Sequence, residues 1–347
     1  MADTMKVAVM TGIGQIEIEE RPIPIPKEDE VLIRIKSVGV CGSDVHYFVE
    51  GKIGDYIVKP PFILGHECSG EVVEIGSRVE NLQPGDRVTM EPGIPCGKCD
   101  YCRSGRYNLC PNVVFWATPP VDGVFCEYVT HSASFTYPIA PEVSFEEAAL
   151  VEPLSVGFYA SGRAKVEPGR VALILGSGPI GLVTLESLIA RGLTQIISVD
   201  IFDLRLQKAK ELGARWVINA KEEEVTQRVK EITQGRGVDY VFETAGGVST
   251  TQSTVEVVKK GGKVVLVGLP SQSRVELDVI KIIDGELDVL GIFRYANTYP
   301  GCVDLLNAGR VDLASLITHR FSLEETGEAL KFAHEHKAES IKVVVNL

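Results

Sequence analysis

Residues 171–181 read VALILGSGPIG, an apolar run that ends in Gly176-Ser177-Gly178-Pro179-Ile180-Gly181. The run 171–175 has the length and continuity of a buried strand, and helical spacing takes over across 179–191. A lone Gly-x-Gly-x-x-Gly loop is weak evidence. Here a strand precedes it, a helix follows it, and an acid, Asp200, closes the next strand. Gly176 and Gly178 allow a tight turn and close approach of a pyrophosphate. The helix N-terminus then faces the phosphates with free N–H groups and its positive dipole end. Asp200 is placed to accept hydrogen bonds from the adenine ribose hydroxyls and to repel a 2′-phosphate, so NAD is expected rather than NADP. Arg205 is close enough in sequence to reach the same ribose.

Outward from this loop the rhythm repeats. Strands are expected at 196–199, 216–218, 239–242, 263–267 and near 289–292, with helices at 203–212, 223–233 and 249–258 between them. Alternating strand and helix means parallel strands with helical crossovers, and two sets of three strands make a doubly wound sheet. The residues before it are β-rich. EVLIRIKS at 30–37 alternates apolar and polar, 71–75 and 86–90 are similar, and Pro84-Gly85-Asp86 signals a turn. A small, irregular antiparallel barrel or sheet is expected there, with the helically spaced segment 145–165 as the link. Beyond Arg294 helices at 298–308 and 323–334 and a strand at 341–345 suggest that the chain returns to its first domain. The expected domains are thus 1–153 with 296–347, and 154–295. No repeat or low-complexity segment stands out.

A length of 347 residues suits two domains, and 45% hydrophobic with 24% charged residues is ordinary for a globular protein. A net charge of -12 argues against a nucleic-acid groove or an anionic membrane surface as the main partner. No signal peptide is read at residues 1–6, and no apolar stretch approaches the roughly 20 residues that span a bilayer. The cytoplasm is the expected location, where eight cysteines are thiols or metal ligands before they are disulfides.

Cys96, Cys99, Cys102 and Cys110 give C-x2-C-x2-C-x7-C in a loop containing Gly97 and Gly105. Two disulfides at such short spacings strain their geometry, whereas four thiolates suit a closed tetrahedral zinc site. With every position filled by protein, such a zinc staples a loop. Cys41, in the glycine-flanked turn VCGSDVH, and the pair His66-Glu67 in LGHECSG offer a second, mixed set. Three protein ligands and an open position is the catalytic zinc arrangement. Taken singly, Cys41 reads as a buried small hydrophobe and His66 as a satisfied polar residue.

The motifs GVCGSDVHYF, PFILGHECSGEVVEIG, GDRVTMEPGIPCGKCDYC, ALVEPLSVGFYA, LGSGPIGLVT and IFRYANTYP, in this order almost end to end, resemble the zinc-containing medium-chain dehydrogenases. Within them the chain is most similar to the sorbitol and xylitol (polyol) dehydrogenases. The resemblance implies an α/β protein with a GroES-like, β-rich catalytic domain and a Rossmann NAD-binding domain. It implies a catalytic zinc on Cys41, His66 and Glu67 with Glu152 nearby, and a structural zinc on the four cysteines. Glutamate at 152, where alcohol dehydrogenases typically carry cysteine, points to the polyol branch. Tyr47, Phe115, Glu152, Arg294 and Tyr295 correspond to that branch's substrate residues. Gly176, Gly178, Pro179, Ile180, Gly181, Asp200, Arg205, Val267, Gly268, Leu269, Ile292, Phe293 and Arg294 fall where it contacts NAD.

These parts imply that zinc polarises a secondary hydroxyl of a polyol, hydride passes to NAD, and a ketose forms. Ser43 and His46, or Glu152 through a water, are the candidate proton relay. Other members of the superfamily (L-threonine or butanediol dehydrogenase) are the nearest rivals, with a zinc-free quinone reductase further off. A non-catalytic NAD-binding or lens-type structural protein belongs to another class, and the full set of candidate ligands counts against it. The resemblance also implies a homotetramer or dimer, with the edge near 288–293 able to pair between subunits. It does not separate sorbitol from xylitol, L-iditol or galactitol.

Overall fold

A computed structural model describes residues 4–270 and 272–347. The start of the segment read against a signal peptide, residues 1–3, lies outside them. The chain forms two compact units, Met1–Glu152 with Tyr299–Leu347, and Pro153–Thr298.

The second unit is built on a six-stranded parallel sheet. Its order in space is Trp216–Asn219, Gln195–Asp200, Val171–Leu175, Val238–Glu243, Val258–Leu266, Asp288–Gly291. The order reverses between Val171–Leu175 and Val238–Glu243, the place where open α/β sheets bind ligands. Neighbouring residues in a strand face opposite ways. Leu173 with Ile174, and Val241 with Phe242, are all fully buried, so helices cover both faces. One of them, Pro179–Ala190, buries Leu182, Val183, Leu185 and Leu188. Each such side chain contributes roughly 1.5–3 kcal/mol by leaving water. The strand expected at 263–267 starts earlier, at Val258, directly after the helix Val248–Val257. Its first half carries Lys259, Lys260, Gly261 and Gly262, poor strand formers, and only Val258 pairs there, across a register shift.

The first unit holds a seven-stranded sheet. Thr136–Pro138, Arg87–Met90, Glu67–Ile75, Glu30–Gly39, Lys342–Asn346 and Ile317–Ser322 follow one another, and Tyr128–Ser132 also pairs with Glu30–Gly39. It is not purely antiparallel as expected, because the C-terminal pair Ile317–Ser322 and Lys342–Asn346 runs parallel. A helix, Thr326–Glu335, makes that crossover possible. An N-terminal hairpin, Thr4–Gly12 with Gln15–Pro22, stands beside this sheet. Val7, Val9, Met10, Ile33, Leu64 and Phe125 form the centre of one apolar core. The link at 145–165 is two helices, Phe145–Ala149 and Val151–Ala164, separated at Leu150. The turn expected at Cys41 opens a helix, Gly42–Glu50, with Cys41 as its N-cap. Among the described residues no helix is long and apolar enough to cross a membrane.

Candidate metal centres and dinucleotide site

The strand Glu30–Gly39 stops just before Cys41, and the strand Glu67–Ile75 starts at Glu67, antiparallel to it, with Glu67 opposite Gly39. This pairing brings Cys41, His66 and Glu67 together, with one ligand atom of each lying within 4.8 Å of the others. Two glycines make the approach possible. A Cβ on Gly39 would lie 2.1 Å from Glu67 Oε2, and Gly65, at φ +89°, has Phe125 and Val38 packed where its Cβ would be. Phe115 closes one side, its ring centroid 5.9 Å from that of His66.

Two residues that the sequence reading passed over support the trio. Asp44 is fully buried and accepts the backbone N–H of Cys41 at 3.1 Å and of Gly65 at 2.9 Å. Its Oδ1 lies 3.5 Å from His66 Nδ1, a charge contact beside the ring, and Nδ1 has no hydrogen-bond partner among the described residues. Burial alone would push the His66 pKa down, but the negative charge of Asp44 and Cys41 holds it well above the usual value. The pocket favours a cation. Lys342 is buried as well, and its ammonium donates to Glu67 Oε1 at 2.7 Å and to the Val40 carbonyl at 2.9 Å. Burial opposes its charge, yet Glu67 and Cys41 keep its pKa raised. A capping-type spacing, Cys41 to Asp44, is the signal that could have found the first. A lysine opening the apolar run VVV is the signal for the second.

One sulfur, one nitrogen and one oxygen donor fit zinc with a coordination position left over. Glu152 is buried at the start of the helix Val151–Ala164 and is not one of the three clustered ligands. Its charge bears on Lys342, Cys68, Glu91 and Tyr299. Ser43 is half-buried next to Cys41, and His46 is exposed with Nδ1 3.3 Å from Glu50 Oε1. Tyr47 is buried in the same helix, and Cys68 is buried in the sheet.

Cys96, Cys99, Cys102 and Cys110 also lie within 4.8 Å of one another, all as free thiols. Backbone N–H groups of Lys98 and Cys99 draw Cys96 down to about 6, while burial and its thiol neighbours push Cys102 up to about 12. Four thiols crowded this way ionise together only around a cation, and an all-sulfur set is a closed zinc site. Tyr107, between Cys102 and Cys110, donates its hydroxyl to the buried Glu91 at 2.8 Å, and Tyr137 donates at 3.3 Å. Burial pushes Glu91 up to about 7. His131 Nε2 lies 2.9 Å from the Glu91 carbonyl, and burial pushes His131 down to about 4.

In the second unit the expected cofactor residues lie at strand ends or in the loops and first helical turns after them. Gly176 sits at φ +97°, and Gly181 has no room for a side chain, since a Cβ would lie 1.9 Å from Gly176 O. Gly178 caps the helix Pro179–Ala190, with Pro179 as its first residue and Ile180 next. Asp200 is buried. It accepts the N–H of Ser177 at 2.7 Å through Oδ2, and of Ile201 and Phe202 through Oδ1. Arg205 Nη1 is 3.8 Å from Asp200 Oδ2, so the guanidinium expected near the ribose stands beside the acid itself. Val267, Gly268 and Leu269 follow the strand Val258–Leu266, and Ile292, Phe293 and Arg294 follow Asp288–Gly291. Arg294 takes a left-handed φ of 51° with its guanidinium 4.9 Å from the Phe293 ring centroid, and Tyr295 is buried.

Residues 27–141 match the family described as alcohol dehydrogenase GroES-like domain, and residues 179–308 match that described as zinc-binding dehydrogenase. The chain is 48% identical over 341 residues to sorbitol dehydrogenase of Bacillus subtilis, covering 98% of this chain and 97% of that one. Among solved structures, an Escherichia coli oxidoreductase of unknown specificity superposes with a TM-score of 0.95 at 41% identity, covering 99% of each chain. A zinc-binding dehydrogenase from Sinorhizobium meliloti, bound to NADP, gives a TM-score of 0.91 at 31% identity, again over 99% of each chain.

Proposed function

Because the chain belongs to the zinc-containing medium-chain dehydrogenases, in their sorbitol dehydrogenase branch, we propose that it oxidises a secondary hydroxyl of a sugar alcohol such as sorbitol or xylitol to a ketose, with NAD as the hydride acceptor. The observation that carries this reading is the Cys41, His66 and Glu67 trio, whose donor set leaves a metal one position for a substrate. When bound, zinc supplies Lewis acidity toward the hydroxyl and NAD takes the hydride.

The chain's own residues do the rest. Cys41, His66 and Glu67 would hold the metal, with the Asp44 carboxylate 3.5 Å from the His66 ring. Lys342 offsets the charge of Glu67, so the donor set carries little more than the single charge of Cys41. An electron-poor centre favours a hydroxyl-rich substrate over ethanol. Glu152 orients the reacting hydroxyl or its water. Ser43 and His46, or Glu152 through a water, relay the proton outward, and His46 is exposed to solvent. Phe115 and Tyr47 exclude water, and Arg294 and Tyr295 bind distal hydroxyls, which separates polyols from simple alcohols.

The finer parts of the reading are NAD over NADP, one catalytic and one structural zinc per subunit, a homotetramer, and the cytoplasm. The exposed Val279, Ile280 and Ile283 on the helix Val279–Asp284, beside the edge strand Asp288–Gly291, support pairing of this edge with a second copy. A kcat/KM panel of sorbitol, xylitol, 2,3-butanediol and ethanol with NAD and NADP tests the reading. Polyols with NAD are expected to lead. A zinc-loaded protein that turns over butanediol but no polyol contradicts it.

A further inference from the structure

The strand Val238–Glu243 lies beside Val171–Leu175, across the reversal in strand order, and ends in a glutamate that the chemistry above does not use. Glu243 is fully buried. Its main-chain carbonyl accepts the N–H groups of Val267 and Gly268, each at 2.9 Å. Its carboxyl Oε1 accepts Ala245 N–H at 3.1 Å, Gly246 N–H at 2.9 Å and the Thr250 hydroxyl at 2.8 Å. One residue therefore ties the loop after its own strand to the loop after the neighbouring strand. Burial pushes its carboxyl pKa up against these hydrogen bonds, and Oε2 has no hydrogen-bond partner among the described residues.

The two loops meet backbone to backbone. A Cβ on Gly246, at φ +67°, would lie 2.4 Å from Leu269 O, and one on Gly268 would lie 2.3 Å from Gly246 N. On the other side, Thr244 donates its hydroxyl to Gly176 O at 2.7 Å. The segment after Glu243 thus fits between the phosphate-type glycine loop and residues 267–269. In a doubly wound sheet each set of three strands holds one mononucleotide half. Asp200, the ribose candidate, ends a strand of the first set, and Glu243 ends a strand of the second.

We infer that Glu243 is a positioning residue for the nicotinamide half of the dinucleotide, acting by setting the backbone of residues 244–247 and 267–269. The inference rests on the dinucleotide reading of this unit.

The test measures Kd for NADH by fluorescence and for AMP by calorimetry on the zinc-loaded enzyme and its Glu243→Ala and Glu243→Gln variants. Glu243→Ala is expected to raise the NADH Kd about tenfold or more, because buried donors lose their acceptor, and to leave AMP within about twofold. Glu243→Gln keeps an acceptor oxygen and is expected to recover most of the loss. Equal weakening of AMP and NADH, unchanged NADH binding, or a Gln variant as poor as Ala overturns the inference. If Glu243→Ala does not fold, Thr250→Val, which removes one donor to Oε1, must show the same selectivity for NADH at about two- to threefold; equal effects on both nucleotides again overturn it. A wild-type enzyme that binds AMP but not NADH contradicts the cofactor reading itself. Tight wild-type NADH binding with an unaffected Glu243→Ala contradicts only the role of Glu243.

Discussion

Lys342 is the counter-ion of Glu67. The two lie 275 residues apart in sequence and meet at 2.7 Å inside the first unit, both buried, with the Val40 carbonyl taking a second ammonium proton. Each buried charge is offset by the other, and the metal candidate Glu67 is held by a residue of the strand Lys342–Asn346.

Replacing Lys342 with alanine leaves a buried carboxylate without its cation. The expected cost is about 3–5 kcal/mol in unfolding free energy, with zinc binding at the trio altered while the four-cysteine site keeps its metal. Chemical denaturation and zinc analysis measure both. A variant as stable as wild type with full activity contradicts the pairing role.

Two glycine substitutions separate the metal and nucleotide functions. Gly39→Ala would place a Cβ 2.1 Å from Glu67 Oε2, and Gly181→Ala would place one 1.9 Å from Gly176 O. Gly39→Ala is expected to abolish turnover with NADH affinity intact. Gly181→Ala is expected to lose about tenfold or more in NADH affinity with zinc content intact. Parallel loss of both properties in either variant contradicts the assignment.

Glu91 and His131 oppose each other in pH. Unfolded, Glu91 ionises near 4.5; folded, it keeps its proton up to about 7. Its contribution is therefore fully present below pH 4.5 and is lost as pH rises to 7, about 3 kcal/mol in all. His131 titrates near 6.5 unfolded and about 4 folded, so stability rises with pH between those values. Glu91→Gln removes the first effect only. Its stability relative to wild type is expected to climb between pH 4.5 and 7 in urea titrations. A difference that stays flat with pH contradicts the burial argument.

Asp200→Ala removes the acid from a ribose site where Arg205 remains, its Nη1 3.8 Å from the lost carboxylate in the parent. The ratio of kcat/KM for NADP to that for NAD is expected to rise about tenfold or more. An unchanged ratio places the ribose elsewhere.

The parts legible in the sequence are the local ones. The strand, turn and helix around 171–190 are contiguous, and their apolar continuity and glycines carry the fold without reference to distant residues. The four cysteines lie within a span short enough to be read as one loop. Cys41 meets His66 and Glu67 only through strand pairing, which spacing does not encode, so the residue types suggest the set and the family resemblance decides it. Lys342 lies inside the strand expected at 341–345, and nothing near it in sequence identifies a partner 275 residues away. Asp44 and Glu243 look like ordinary polar residues until their backbone partners are known. Of the two parallel C-terminal strands only the one at 341–345 is legible, because Ile317–Ser322 mixes His319, Arg320 and Phe321 without a clean alternation.

The central claim is that Cys41, His66 and Glu67 hold the zinc at which a polyol is oxidised. Zinc content and sorbitol-dependent NAD reduction of Cys41→Ser beside wild type test it most directly, with NADH affinity as a check on the fold. The expected result is one zinc per chain fewer, no turnover, and unchanged NADH binding. A Cys41→Ser enzyme that keeps its full zinc content and its turnover contradicts the account.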